Sequence, residues 1–207
     1  MLRQEPVTIR RRVSRPRPRR GKPEETRARL VAAAAAVFNR SGYHGTDSNR
    51  IARAAGYSPG TFYKHFADKR EIFLAAFQDW VDREWQAIER EVSGTRDREA
   101  LARRIVELTL GLHIRWRGLR ASLLALVARD PVVRRFHRAQ RRRQLRLLAA
   151  LRKRLGAPAR PPEEDLVLLF TMERTCDAVA MGELRDLGAS RSALLEALRA
   201  AVRRHVF

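Results

Sequence analysis

The stretch that most constrains this chain is residues 42–66, where single residues punctuate two very short apolar patterns. Thr46 is positioned to cap a helix running to about Ala55, with Ile51, Ala52 and Ala55 as its small inward face. Gly56 then supplies the left-handed turn that a side chain would resist. Ser58 caps the next helix and Pro59 takes its first position. Tyr57 and Phe62 have the spacing of a hydrophobic staple, and Phe62 and Phe66 point inward one turn apart. Gly60, Thr61, Tyr63 and Lys64 are left facing outward. Asp68 and Glu71 form a capping-box pattern that opens a further helix. A short helix, a tight glycine turn and a second short helix make a helix-turn-helix.

The surrounding chain extends the same architecture. Pro23, with Glu24 and Glu25 in the first turn, starts a preceding helix whose Leu30, Ala34 and Phe38 stack on one face until Gly42 stops it. No segment alternates with the period of two that strands require. The predicted fold is all-α: an N-terminal three-helix head over residues 22–68 and a helical body over 69–207. Residues 1–21 form a basic arm broken by Pro16 and Pro18.

Charge narrows the partners. Forty-four Lys and Arg against 23 Asp and Glu give a formal net charge of +21, which suits a polyanion. Arg10, Arg11, Arg12, Arg15, Arg17, Arg19, Arg20 and Lys22 in the arm read either as a solubility tail or as groups that follow phosphates. The Arg-rich run over 134–146 reads as a solvated helix face. The single cysteine, Cys176, excludes an intrachain disulfide and a cysteine-based zinc site. No signal-peptide pattern and no run of about 20 apolar residues occurs, so the expected location is the cytoplasm, at the nucleoid, without a membrane partner. The five histidines are scattered, and no nucleophile–base set, metal-ligand spacing or phosphate-binding glycine loop is present. The expectation is no enzyme, no cofactor and no metal.

The run GYHGTDSNRIARAAGYSPGTFYKHFADKREIF, residues 42–73, resembles the TetR family of bacterial transcriptional regulators. The pattern passes through Gly42, Thr46, Ile51, Ala52, Ala55, Gly56, Ser58, Gly60, Thr61, Tyr63, Phe66 and Lys69. Asp47, Ser48, Asn49 and Arg50 depart from it. The resemblance implies a dimeric regulator, most readily a repressor, that reads a palindromic operator on double-stranded DNA and is released by a small effector. It implies phosphate contacts from Thr46, Tyr63 and Lys69. With the outward face of the second short helix, the expected DNA-contacting set is Thr46, Ser58, Pro59, Gly60, Thr61, Tyr63, Lys64, His65 and Lys69. A regulator without a ligand, or a weakly specific DNA-coating protein, is the alternative.

The body is expected to enclose the effector, of apolar or aromatic character, and to pair with a second copy through the last two helices. Trp80, Trp85, His113, Trp116, Met172 and Glu173 are the candidate pocket residues, each of which also reads as ordinary core. Gly118 is expected to break the chain between helices. A helix over 163–187 is apolar on all sides, which predicts one face on its own body and another on a partner subunit. Ser190 then caps the last helix.

Overall fold

The computed structural model describes residues 22–94 and 97–207, so the basic arm lies outside the described residues. All regular structure among them is helical. The head comprises α1 (Pro23–Ser41), α2 (Ser48–Ala54) and α3 (Pro59–Tyr63). The body comprises α4 (Lys69–Gly94), α5 (Arg98–Arg115), α6 (Arg117–Arg129), α7 (Pro131–Arg154), α8 (Pro162–Met181), the single turn α9 (Glu183–Asp186) and α10 (Arg191–Val206).

The local signals act largely as their chemistry dictates. Gly42 and Gly56 end α1 and α2 with φ of 69° and 82°. Ser58 Oγ accepts from Thr61 N, Asp130 Oδ1 from Val132 N, and Ser190 Oγ from Ala193 N, capping α3, α7 and α10. Three expectations need correction. The cap of α2 is Asp47, whose Oδ1 accepts from Arg50 N at 2.7 Å, not Thr46. A carboxylate accepts more strongly than a hydroxyl and complements the positive end of the helix, while Thr46 turns inward and is buried. The helix expected over 163–187 ends at Met181, where Gly182 takes the left-handed φ of 80°. The break before α6 falls at Trp116, and Gly118 lies inside α6.

Gly118 serves close approach instead. A Cβ there would overlap the backbone carbonyl oxygen of Asn39 on α1. At this crossing the Asn39 side chain joins two helix ends. Its Oδ1 accepts from Gly118 N at 2.9 Å and Leu119 N at 3.2 Å, and its Nδ2 donates to Arg115 O at 2.8 Å. It thus satisfies first-turn N–H groups of α6 and a last-turn carbonyl of α5, groups a helix cannot pair internally. Nearby, Tyr43 N donates to Ser122 Oγ at 3.1 Å. The head is pinned to α6 by these bonds.

The head core is built from Leu30, Ala34, Phe38, Ile51, Ala52, Phe62 and Phe66, closed by Ile72 and Phe73 of α4, and none is more than 1% exposed. Phe38 meets Phe73 edge to face at 5.1 Å. The same α4 continues into the body, where Phe77, Trp80, Val81, Trp85 and Ile88 are buried. One uninterrupted helix therefore supplies side chains to both cores.

Candidate functional site

Two features stand apart from ordinary core packing: the outer face of α3 and a cavity in the body.

On α3, Phe62 is fully buried while Ser58, Pro59, Gly60 and Lys64 are exposed, Thr61 and His65 are half-buried, and Tyr63 is 57% exposed. The buried Phe62 and Phe66 fix the helix, so its outer side chains are free to meet a partner without disturbing the core. Tyr63 leans edge-on against Phe62 at 5.2 Å, which steadies its ring while its hydroxyl end stays in solvent.

The flanking candidates are arranged differently. Lys69 Nζ donates to Tyr43 O and Thr46 O, each at 2.9 Å, and sits 4.3 Å from the centre of the Tyr43 ring. Its charge holds the α1–α2 connection in place. Thr46 is 7% exposed and its Oγ1 has no hydrogen-bond partner. Both residues thus serve the α1–α2 connection, Lys69 by bonding its carbonyls and Thr46 by its buried side chain.

The cavity, about 70 Å³, lies between α4, α5, α6, α7, α8 and the end of α10. Five of the six candidate pocket residues line it: Trp80, Trp85, His113, Met172 and Glu173. Trp116 does not, because the chain breaks there and its ring packs under Arg115 at the junction of α5 and α6. The lining is graded. One turn along each wall, Glu84 gives way to Ile88, Thr109 to Ile105, Gln144 to Leu148 and Glu173 to Leu169. The head-side end also carries Arg120, His137 and Gln140. The head-side end therefore gathers the polar groups beside Phe77 and Trp80, and the far end is aliphatic, whereas the effector was expected to be apolar or aromatic.

The polar end adjoins a buried ionic network. Arg120 Nε donates to Asp177 at 2.5 Å and its Nη2 to Glu173 at 3.0 Å; Arg141 holds Glu173 through two bonds of 2.6 and 2.7 Å. His113 Nδ1 lies 2.9 Å from Asp177. Burial opposes ionisation of Glu173, but Arg141 and Arg120 outweigh it and bring its carboxyl down to about 2. Burial likewise opposes charge on Asp177 and is overcome by His113 and Arg120, which lower it. His137 is depressed by burial and then by Arg141. Glu84 behaves oppositely: burial pushes its carboxyl above the ordinary range, and His113, Arg120 and the Thr109 hydrogen bond do not cancel this. Cys176 is fully buried, with its thiol pushed up to about 12 chiefly by burial, which makes it a packing residue rather than a nucleophile.

Sequence reasoning missed Asn39, Glu84, Arg120, Gln140 and Asp177. For Glu84 a signal existed: it occupies an inward register of the α4 stripe, three residues after Val81 and four before Ile88. A charge at such a position requires a reason. Asn39 carried no comparable signal, since its partners lie 76 to 80 residues away. Among the described residues no group of acids, histidines and cysteine is arranged to hold a metal, and no helix is long and apolar enough to cross a membrane.

Residues 30–76 match the family model described as bacterial regulatory proteins, tetR family. The HTH-type transcriptional activator FasR of Mycolicibacterium smegmatis is 36% identical over 84 residues, 41% of this chain and 38% of the relative. The match thus spans well under half of that relative's length. In fold, the chain is similar to a putative TetR-family transcriptional regulator from Rhodococcus sp., with a TM-score of 0.70 over 89% of this chain and all of that one at 18% identity. It is also similar to a putative transcriptional regulator from Saccharomonospora viridis in complex with choline, with a TM-score of 0.68 over 86% and 96% of the two chains at 21% identity.

Proposed function

From a chain whose residues 30–76 match the family model of bacterial regulatory proteins, tetR family, we propose that the protein is a dimeric, DNA-binding transcriptional regulator. It grips operator DNA with α3 and releases it when a small molecule occupies the body cavity. The observation that carries this reading is the continuity of α4: Phe73 closes the head core and Trp80 to Ile88 wall the cavity on one helix.

In this reading α3 enters the major groove with Ser58, Pro59, Gly60 and Thr61 nearest the base edges, and Tyr63, Lys64 and His65 along the backbone. A Cβ added at Gly60 would meet only the Ser58 hydroxyl, at 4.0 Å, so this side of the main chain is open for the duplex to come close. Lys69 acts by holding the α1–α2 connection, of which Thr46 is part. Any phosphate contact they make is added to that duty.

The dimer is assigned to α8 and α10. Val167 and Phe170 on α8 are 64% and 51% exposed, on the opposite side from the buried Leu168, Met172 and Cys176. A second copy related by a two-fold axis would cover this apolar stripe and impose inverted half-sites on the operator. The Saccharomonospora viridis protein of similar fold is a complex with choline, which supports a small-molecule ligand for this chain. A cytoplasmic location at the nucleoid follows from the DNA partner.

The test is selection of bound duplexes from a random pool by the full-length protein. The expected result is enrichment of an inverted repeat with half-sites about one helical turn apart or a multiple of it. Enrichment of asymmetric sites, or no enrichment at physiological salt, overturns the reading.

A further inference from the structure

The effector reading leaves the chemical class of the ligand open, and the polar end of the cavity narrows it. Buried charges elsewhere in the body have opposite partners: Arg120 has Glu173 and Asp177, Arg141 has Glu173, and Arg152 has Asp165. Glu84, 8% exposed on the cavity wall, has no such partner among the described residues. A buried carboxylate without a counter-ion is costly to ionise.

Two atoms of other cavity-lining residues, one on α7 and one on α4, lack hydrogen-bond partners. Gln140 Oε1 is an acceptor without a donor; the Gln140 amide nitrogen is already committed to Gln78 Oε1. Trp80 Nε1 is a donor without an acceptor. Both residues are more than nine-tenths buried. Glu84 and Gln140 thus call for a positive charge and N–H donors, in a cavity also lined by the aromatic Trp80 and Trp85; the Trp80 N–H calls for an acceptor, which an ammonium group does not supply. An anion would meet Glu84 and find Arg120 and Arg141 already neutralised. Beyond the polar layer, Ile88, Ile105, Leu148 and Leu168 accept carbon.

We propose that this cavity binds a small primary amine, its ammonium group on Glu84 and Gln140 Oε1 and its alkyl portion directed toward Ile88 and Leu148. The proposal rests on the effector reading and specifies it. The volume of about 70 Å³ is roughly half that of an engineered apolar cavity that admits benzene. Short alkyl chains are accommodated first, and longer ones require the α4 and α7 walls to part.

The experiment uses the full chain at fixed ionic strength and three probe series, n-alkylamines, n-alkanols and n-alkanoates of three to eight carbons. Intrinsic tryptophan fluorescence and thermal shift are recorded for each. Trp80 and Trp85 line the cavity, so occupancy changes emission directly. The expected result is saturable binding of one or two amine lengths, with the matched alkanol and alkanoate at least tenfold weaker. Glu84→Gln is expected to weaken the amine at least tenfold while preserving the helical circular-dichroism signal. Gln140→Met, which keeps volume and removes the acceptor, is expected to weaken it several-fold and serves if the first variant does not fold. An alkanol or alkanoate that binds as tightly as the amine overturns the amine assignment while leaving a ligand-binding body. Unchanged amine affinity in both variants also overturns it. A flat response to all three series overturns it together with a small-ligand role for this cavity.

Discussion

Replacing Asn39 by Ala probes the joint between head and body. The change removes two bonds to first-turn N–H groups of α6 and one to the Arg115 carbonyl, at 2.9, 3.2 and 2.8 Å. A net protein hydrogen bond contributes about 0.5–1.5 kcal/mol. The two bonds to α6 are partly buried and take roughly 1 kcal/mol each; the solvent-accessible third takes about 0.5. Alanine returns up to about 0.7 kcal/mol in helix propensity. The expected loss is therefore about 2 kcal/mol, within the range for removing a helix cap. For a chain of this size that lowers Tm by roughly 4–8 °C. The assay is urea unfolding by circular dichroism at one fixed protein concentration, because dimer stability depends on concentration. Asn39→Asp supplies the control: it keeps the acceptor, adds a charge favourable to the α6 N-terminus, and loses the donor to Arg115. It is expected to lose less than half as much. An Asn39→Ala variant within about 0.3 kcal/mol of the parent, well below a single net bond, would refute the reasoning.

Three further outcomes follow from the site. Glu173→Gln leaves Arg120 and Arg141 short of a buried counter-charge and should lower stability at neutral pH by about 3–5 kcal/mol. In the parent, the Glu173 carboxyl is lowered from 4.5 to about 2, so its contribution is complete above pH 4.5 and lost as pH falls toward 2, and the variant's acid-unfolding profile should be flatter across that window. Tyr63→Ala should weaken operator binding with Tm within 1–2 °C of the parent, as expected for an exposed side chain, whereas Lys69→Ala should lower both; equal Tm values would sink the distinction between a contact residue and a scaffold residue. Deleting residues 1–20 should make the slope of log affinity against log salt shallower by roughly three if three or four arm cations engage phosphates, and identical slopes on operator DNA would assign the arm no such role.

The head was legible in sequence because each of its decisions is local. Gly42, Gly56, Ser58 and Pro59 act on neighbours within four residues, and Phe62 and Phe66 declare their side by spacing alone. The one local misreading, Thr46 for Asp47 as the α2 cap, arose between two adjacent residues that both favour caps. The body was legible as helices, but its functional interior was not. Trp116 sits on the apolar register of α5, yet the chain turns there, so the ring leaves the cavity that Trp80 and Trp85 line. Gly118 reads as a breaker to any local rule; its cause is the Asn39 carbonyl, 79 residues earlier in the chain. Glu84, Arg120, Gln140 and Gln144 stand as polar residues on buried registers. Such positions are where local consistency yields to another demand.

The two attachments of the head have a mechanical consequence. A rigid body fixed at one point keeps three rotations; fixed at two, it keeps one, about the line that joins them. The root of α4 and the Asn39 crossing on α6 are two such points. The partly buried Arg70–Asp130 pair at 3.3 Å, from the base of α4 to the cap of α7, adds a further tie between α4 and α7. Under the proposed function, a disturbance of the cavity, whether through the α4 wall or through Arg120 one turn along from the α6 cap, would reach α3 chiefly as rotation about that line. Two heads related by a two-fold axis would then open or close together, with one coordinate fixing the distance between their reading helices.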